Sequence, residues 1–136
     1  MKHSKHYETF QAAKAVRDHA YVPYSQFKVG AAVVSETSGE VYAGCNVENA
    51  SFGAAICAER SAVLQAVAKE GAGRFSQLVV YTESSSTVPP CAMCLQVLSE
   101  FCPPEMPVYL YSGDTLAAQY RFDQLLPHPF SKVPGK

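Results

Sequence analysis

At 136 residues the chain can bury a single apolar core without disulfide help, and 48% hydrophobic against 17% charged residues suits one globular domain over residues 1–136. A net charge of −1 supplies no basic field for nucleic acid, and no apolar run approaches the length of a bilayer span. The polar opening Met1-Lys2-His3-Ser4-Lys5-His6 lacks the apolar stretch of a signal peptide, so a soluble cytoplasmic protein is expected, with neither membrane nor nucleic acid among its partners.

Phe10, Ala13, Val16 and Ala20 recur at helical spacing and predict a first helix from about Lys5 to Ala20. Pro23 breaks it, because proline disfavours helical backbone in the residue before it. Phe27 to Val34 reads as a strand, with Phe27, Val29, Ala31 and Val33 on one face and Gly30 and Ala32 opening the other to close packing. The turn Glu36-Thr37-Ser38-Gly39 predicts a hairpin into a second strand, Val41 to Asn46. After Val47-Glu48-Asn49-Ala50-Ser51, a second helix is expected from near Cys57 to Gly71, central because its first two turns carry little polar surface.

Leu78-Val79-Val80-Tyr81 is the apolar run of a strand buried on both faces. A third helix is predicted from Cys91 to about Phe101, with Pro89-Pro90 at its start and Pro103-Pro104 as its stop. Val108 to Tyr111 and Leu116 to Phe122 read as further strands, Asp123 to Leu126 as a turn of helix, and the tail after about residue 130 as irregular. Such an order predicts an α/β fold with helices on both faces of a mixed sheet.

Five cysteines is an odd number, which argues against a closed disulfide framework. Cys45 and Cys102 read as small buried apolar residues. Cys91-Ala92-Met93-Cys94 by itself suits a redox dithiol or half of a structural zinc knot as well as a catalytic metal. A structural zinc site normally takes four protein ligands, whereas Cys57, Cys91 and Cys94 are three, the number that leaves a catalytic zinc one open position. Glu59, two residues after Cys57, is spaced to stand beside such a metal and carry protons, although a carboxylate is also favoured at any helix start. By periodicity Phe27 is an ordinary core residue, and Asn46 and Glu48 read as turn residues. His3, His6, His19 and His128 read as surface residues.

Phe27-Lys28-Val29-Gly30-Ala31-Ala32, Gly44 through Ser51, Cys57-Ala58-Glu59-Arg60, Pro90-Cys91-Ala92-Met93-Cys94 and Leu125 through Phe130 fall in the order and spacing of the small, homotetrameric cytidine deaminases, which the chain resembles from about Ala12 to Phe130. The resemblance implies a three-layer α/β/α fold with a five-stranded mixed sheet, and hydrolytic loss of the 4-amino group from cytidine or deoxycytidine in pyrimidine salvage. It implies one zinc per chain on Cys57, Cys91 and Cys94, with Glu59 as proton shuttle. Asn46 and Glu48 match the residues that hold the sugar hydroxyls, Ala58 lies beside the base, and Phe27 matches the aromatic that packs on the pyrimidine. Phe130 resembles a ring supplied to the base by a neighbouring subunit.

Two departures stand beside the metal. The family usually continues Pro-Cys-Gly-x-Cys-Arg-Gln, and here Ala92 replaces the glycine and Leu95 the arginine. Three thiolates and a divalent zinc sum to one negative charge, which an arginine near the sulfurs offsets, and Arg60 is left for that task. The departures keep open a modified cytosine nucleoside, or a nucleoside antibiotic of the blasticidin type, as substrate. A zinc-stabilised binding domain without catalysis is the reading from a different class.

Overall fold

The computed structural model describes residues 6–135. The elements are α1 (Tyr7–Arg17), β1 (Gly30–Ser35), β2 (Val41–Cys45), α2 (Ala58–Glu70), β3 (Phe75–Thr82), α3 (Ala92–Ser99), β4 (Pro107–Ser112), β5 (Thr115–Arg121) and α4 (Phe122–Leu125), with one 3-10 turn at Phe52–Ala54. One sheet takes the order β2-β1-β3-β4-β5. β1 runs antiparallel to both β2 and β3, β3 and β4 are parallel, and β5 returns antiparallel. No helix among the described residues is long and apolar enough to cross a membrane.

Strand alternation divides the interior between the two faces of this sheet. On one, Phe10 and Ala13 of α1 cover Ala32, Val79 and Tyr81. On the other, Ala58, Ala62 and Val63 of α2 and Leu95 and Leu98 of α3 cover Ala31, Val33, Leu78, Val80, Val108 and Leu110. Small residues bring the helices close. A Cβ on Gly30 would lie 2.0 Å from the Ala13 carbonyl oxygen, and one on Gly44 would lie 2.3 Å from the Ala62 nitrogen. α1 and α2 are thus seated directly on the hairpin backbone.

Several boundaries differ from the sequence expectation, each for a local reason. α1 stops at Arg17 because the chain tightens, His19 N–H bonding Val16 O and Ala20 N–H bonding Arg17 O. β1 starts at Gly30 and not at Phe27, because the Asn46 side chain occupies the backbone groups that strand pairing would use. Its Oδ1 accepts from Val29 N–H and its Nδ2 donates to Phe27 O, both at 2.9 Å. Just upstream, Gln26 at φ 57° turns the chain. α3 begins at Ala92 with Cys91 as its N-cap, so Pro89 and Pro90 precede the helix and do not form its first turn. Its far end closes with Phe101 N–H on Leu98 O, short of the full stripe.

His6 is not a surface residue. It is 8% exposed, stacks on Tyr109 at 3.8 Å between ring centroids, and sets Nε2 2.7 Å from the Tyr111 hydroxyl. Phe10 of α1 packs on the Tyr111 ring at 4.3 Å between centroids, and His6, the residue before α1, extends that cover to Tyr109. His3 lies outside the described residues, while His19 and His128 are exposed as expected.

Two tests follow from this packing. Gly44→Ala sets a methyl against helix backbone, which no rotamer change relieves, and should destabilise the fold by about 3 kcal/mol, read as a lowered urea midpoint. Burial pulls the His6 pKa below its ordinary 6.5, so the folded state favours the neutral ring, and this contribution to stability is lost as pH falls below that value. His6→Phe keeps a ring on Tyr109 without the titration, and should flatten the fall of the urea midpoint on acidification below pH 6.5.

Candidate functional site

The chain leaving β2 is stitched on both sides. Val47 exchanges both backbone bonds with Ile56 and also pairs with Tyr21, so the loop between residues 47 and 56 closes on itself and delivers Cys57 to the start of α2. Cys57 is the N-cap of α2 (φ −73°, ψ 156°), and Cys91 is the N-cap of α3 in nearly the same conformation (φ −70°, ψ 165°). Cys94 lies in the first turn of α3. Two helix N-termini therefore converge on the three sulfurs, and their partial positive charge favours thiolate.

The sulfurs of Cys57 and Cys91 are 3.8 Å apart, those of Cys91 and Cys94 3.5 Å, and all three lie within 4.8 Å of one another. Tetrahedral zinc with Zn–S bonds of about 2.3 Å spaces its sulfurs by roughly 3.8 Å, so the trio fits that ion. Glu59 is not in the cluster, and the trio is the only such ligand group among the described residues.

Electrostatics separate the three thiols. Cys57 is pulled down to about 5, first by a hydrogen bond from the Cys94 thiol and then by Arg60, whose Nη2 stands 3.6 Å from the sulfur. Cys94 is pushed up, first by the Cys57 thiolate it faces and then by burial. The metal-free trio thus releases one proton readily and resists losing another, and a divalent cation is what stabilises three thiolates together. Arg60 also reaches the Ala55 carbonyl at 3.4 Å. Leu95, where the resembling family carries arginine, is 6% exposed within the apolar core, and Ala92 is exposed at the start of α3.

Glu59 is 6% exposed, and burial pushes its carboxyl up to about 7. It lines a cavity of about 140 Å³ together with Val29, Asn46, Cys57, Ala58, Val88, Pro89 and Cys91. Ligand pockets typically reach ~300–1,000 Å³, so one chain encloses only part of a small molecule here. A larger hollow of about 270 Å³ lies away from the sulfurs, beside Cys102. Burial pushes that thiol up to about 12 and it donates to Leu98 O, so it is unreactive.

The other residues singled out in the sequence fall around this cavity without all entering it. Asn46 lines it while tying down Phe27 and Val29. Glu48 anchors the preceding loop: Oε1 accepts from the N–H groups of Tyr24 and Ser25 at 3.0 Å each, and Oε2 accepts from the Ser25 hydroxyl. Those bonds, that of the Ser25 side chain first, lower the Glu48 pKa. Phe27 is 37% exposed and does not line the cavity. Phe130, at 62%, also stands outside it, and Gln96 of α3 holds its backbone. Ser25, Val88 and Gln96 also stand at or beside the site, and the sequence did not single them out. The Pro-Tyr-Ser turn was a usable signal for Ser25, and the Gln that closes the run Pro-Cys-Gly-x-Cys-Arg-Gln was one for Gln96, whereas nothing local marked Val88.

Comparison with known proteins agrees with this geometry. Residues 3–110 match the family model described as the cytidine and deoxycytidylate deaminase zinc-binding region. The chain is 43% identical over 120 residues to the cytidine deaminase of Sporosarcina psychrophila, covering 88% of this chain and 87% of that protein. It is similar to the crystal structure of cytidine deaminase from Burkholderia pseudomallei at 41% identity and TM-score 0.85, covering 93% of this chain and all of that one. The Mycobacterium tuberculosis cytidine deaminase structure aligns at 35% identity and TM-score 0.80, over 96% of this chain and all of that one.

Purified protein should carry about one zinc per chain, measured by elemental analysis, because one three-sulfur site has one open position. Cys94→Ala should lose the metal and Cys102→Ala should keep it. Zinc affinity should weaken on acidification, since protons compete for the sulfurs.

Proposed function

Because the chain belongs to the cytidine and deoxycytidylate deaminase family, we propose that it hydrolyses free cytidine or deoxycytidine, releasing ammonia and leaving uridine or deoxyuridine. One observation carries this reading: a buried carboxyl, Glu59, shares a cavity with Cys57 and Cys91 yet stays outside the metal-ligating cluster. Zinc held by Cys57, Cys91 and Cys94 supplies a Lewis acid that makes water acidic enough to attack at neutral pH. Glu59 takes the proton that water gives up, passes it to the ring nitrogen, and assists departure of the 4-amino group as ammonia. Burial raises the Glu59 carboxyl above its ordinary value, the direction that suits a group which must both accept and return a proton. Water adds at C4, its second proton passes by way of Glu59 to the 4-amino group, and the C4–N bond breaks as the C4 carbonyl forms.

The surrounding residues take roles that their contacts support. Arg60 offsets charge on the thiolates, the more so because Leu95 belongs to the apolar core. Asn46 spends one N–H and one oxygen lone pair on Phe27 and Val29, and keeps one of each for a sugar hydroxyl. Glu48 has filled Oε1 with two N–H donors, so its sugar contact uses the remaining lone pair of Oε2. Ala58 borders the ring, and Phe27 packs on the pyrimidine once substrate fills the cavity mouth.

A homotetramer with shared sites fits the small cavity and the outward ring of Phe130, which closes a neighbour's site in this reading. The enzyme then acts in the cytoplasm on salvaged nucleosides. A panel that includes N4-substituted and antibiotic cytosine nucleosides, assayed for ammonia release, tests the substrate.

Glu59→Gln should keep both zinc and fold while kcat falls by about 10²–10⁴-fold, the usual contribution of a positioned acid–base group. Turnover near the unsubstituted rate would overturn the role of Glu59. Phe130→Ala should lose substrate affinity with zinc retained, and co-expression with Glu59→Gln chains should restore part of the activity in mixed assemblies.

A further inference from the structure

We propose that Gln96 is a positioning residue that aims Phe130 at a neighbouring copy, an inference that rests on the shared-site reading above. Gln96 lies two residues beyond Cys94 on α3. Its side-chain amide meets both backbone groups of Phe130: Nε2 donates to the carbonyl oxygen at 2.6 Å, and Oε1 accepts from the N–H at 3.1 Å. These are the two bonds that a paired strand would offer. An amide side chain brings a donor and an acceptor together in that plane, which an ionised carboxylate cannot.

The clasp matters because nothing else regular holds this stretch. α4 ends at Leu125, no helix or strand follows it among the described residues, and Pro127 and Pro129 have no N–H to enter a ladder. A ring on a loose chain must be ordered each time it closes a site, and that cost comes out of substrate affinity. Gln96 meets the cost in advance. It also fixes direction, since Phe130 is held on α3 of its own chain yet stays 62% exposed and outside its own cavity. One short helix therefore supplies sulfurs to its own site and steadies the ring meant for the next.

A tail anchor with no catalytic consequence predicts different kinetics, so Gln96→Ala, Gln96→Glu and Phe130→Ala are compared on the assembled enzyme. Gln96→Glu keeps an acceptor for the Phe130 N–H but sets a carboxylate oxygen against its carbonyl. Both Gln96 variants should raise KM for cytidine by roughly tenfold, as expected for two lost hydrogen bonds, with kcat changed much less and one zinc per chain retained. In a Phe130→Ala background Gln96→Ala should add nothing, because the clasp acts only through the ring. Co-expression of Gln96→Ala with Glu59→Gln chains should restore KM, since a neighbour with an intact clasp then serves the intact Glu59. An unchanged KM in both variants, or full additivity with Phe130→Ala, overturns the proposal. Restoration for Phe130→Ala but not for Gln96→Ala places Gln96 in its own site and also overturns it. Restoration for neither removes the shared site itself, and the proposal falls with it.

Discussion

Everything chemical in this chain depends on the start of two helices meeting at one point. α2 and α3 each open with a cysteine as N-cap, and the third sulfur comes from the first turn of α3. The meeting is enforced from a distance. Gly44 lets the α2 backbone rest against β2, and the paired Val47 and Ile56 lock the entry to the helix. A shift of α2 by the width of a methyl group would move Cys57 and Glu59 together relative to Cys91 and Cys94. The three-sulfur cluster and the buried carboxyl beside it are therefore tied to the same backbone contact.

Around that point the irregular segments are held by side chains and not by ladders. Asn46 bonds the backbone of Phe27 and Val29, Glu48 that of Tyr24 and Ser25, and Gln96 that of Phe130. Backbone polar groups near a cavity need partners, and strand pairing would close the space that substrate must enter. A single polar side chain satisfies two such groups while leaving room. Asn46 thereby lines the cavity and ties down the chain beside it, while Glu48 holds the loop that precedes it.

The elements themselves were legible in the sequence because apolar periodicity is a local property. Gly30 and Ala32 announced a face open to close packing, and α1 lies there. The cysteine and glutamate spacing announced a three-sulfur metal site with an acid beside it, and the sulfurs do converge. What was not legible involved residues far apart in the chain. Phe27 and Val29 alternate like a strand, and only the amide of Asn46, many residues later, withdraws them from one. His6 looked like a surface residue because its partners, Tyr109 and Tyr111, lie at the other end of the sequence. Cys91 read as a helical residue, whereas capping geometry puts it just outside the helix.

The paired helix starts also bear on the missing arginine. A helix N-terminus acts as about half an elementary positive charge, so two of them offset roughly the single negative charge left by three thiolates and a divalent zinc. That compensation is built from peptide dipoles, with Arg60 added to it. Peptide dipoles are set by the path of the backbone, so no side-chain substitution that preserves the fold can delete them. Leucine at position 95 is then a tolerable exchange: the site carries a reserve of positive potential that belongs to no residue, and it leaves the position to the core.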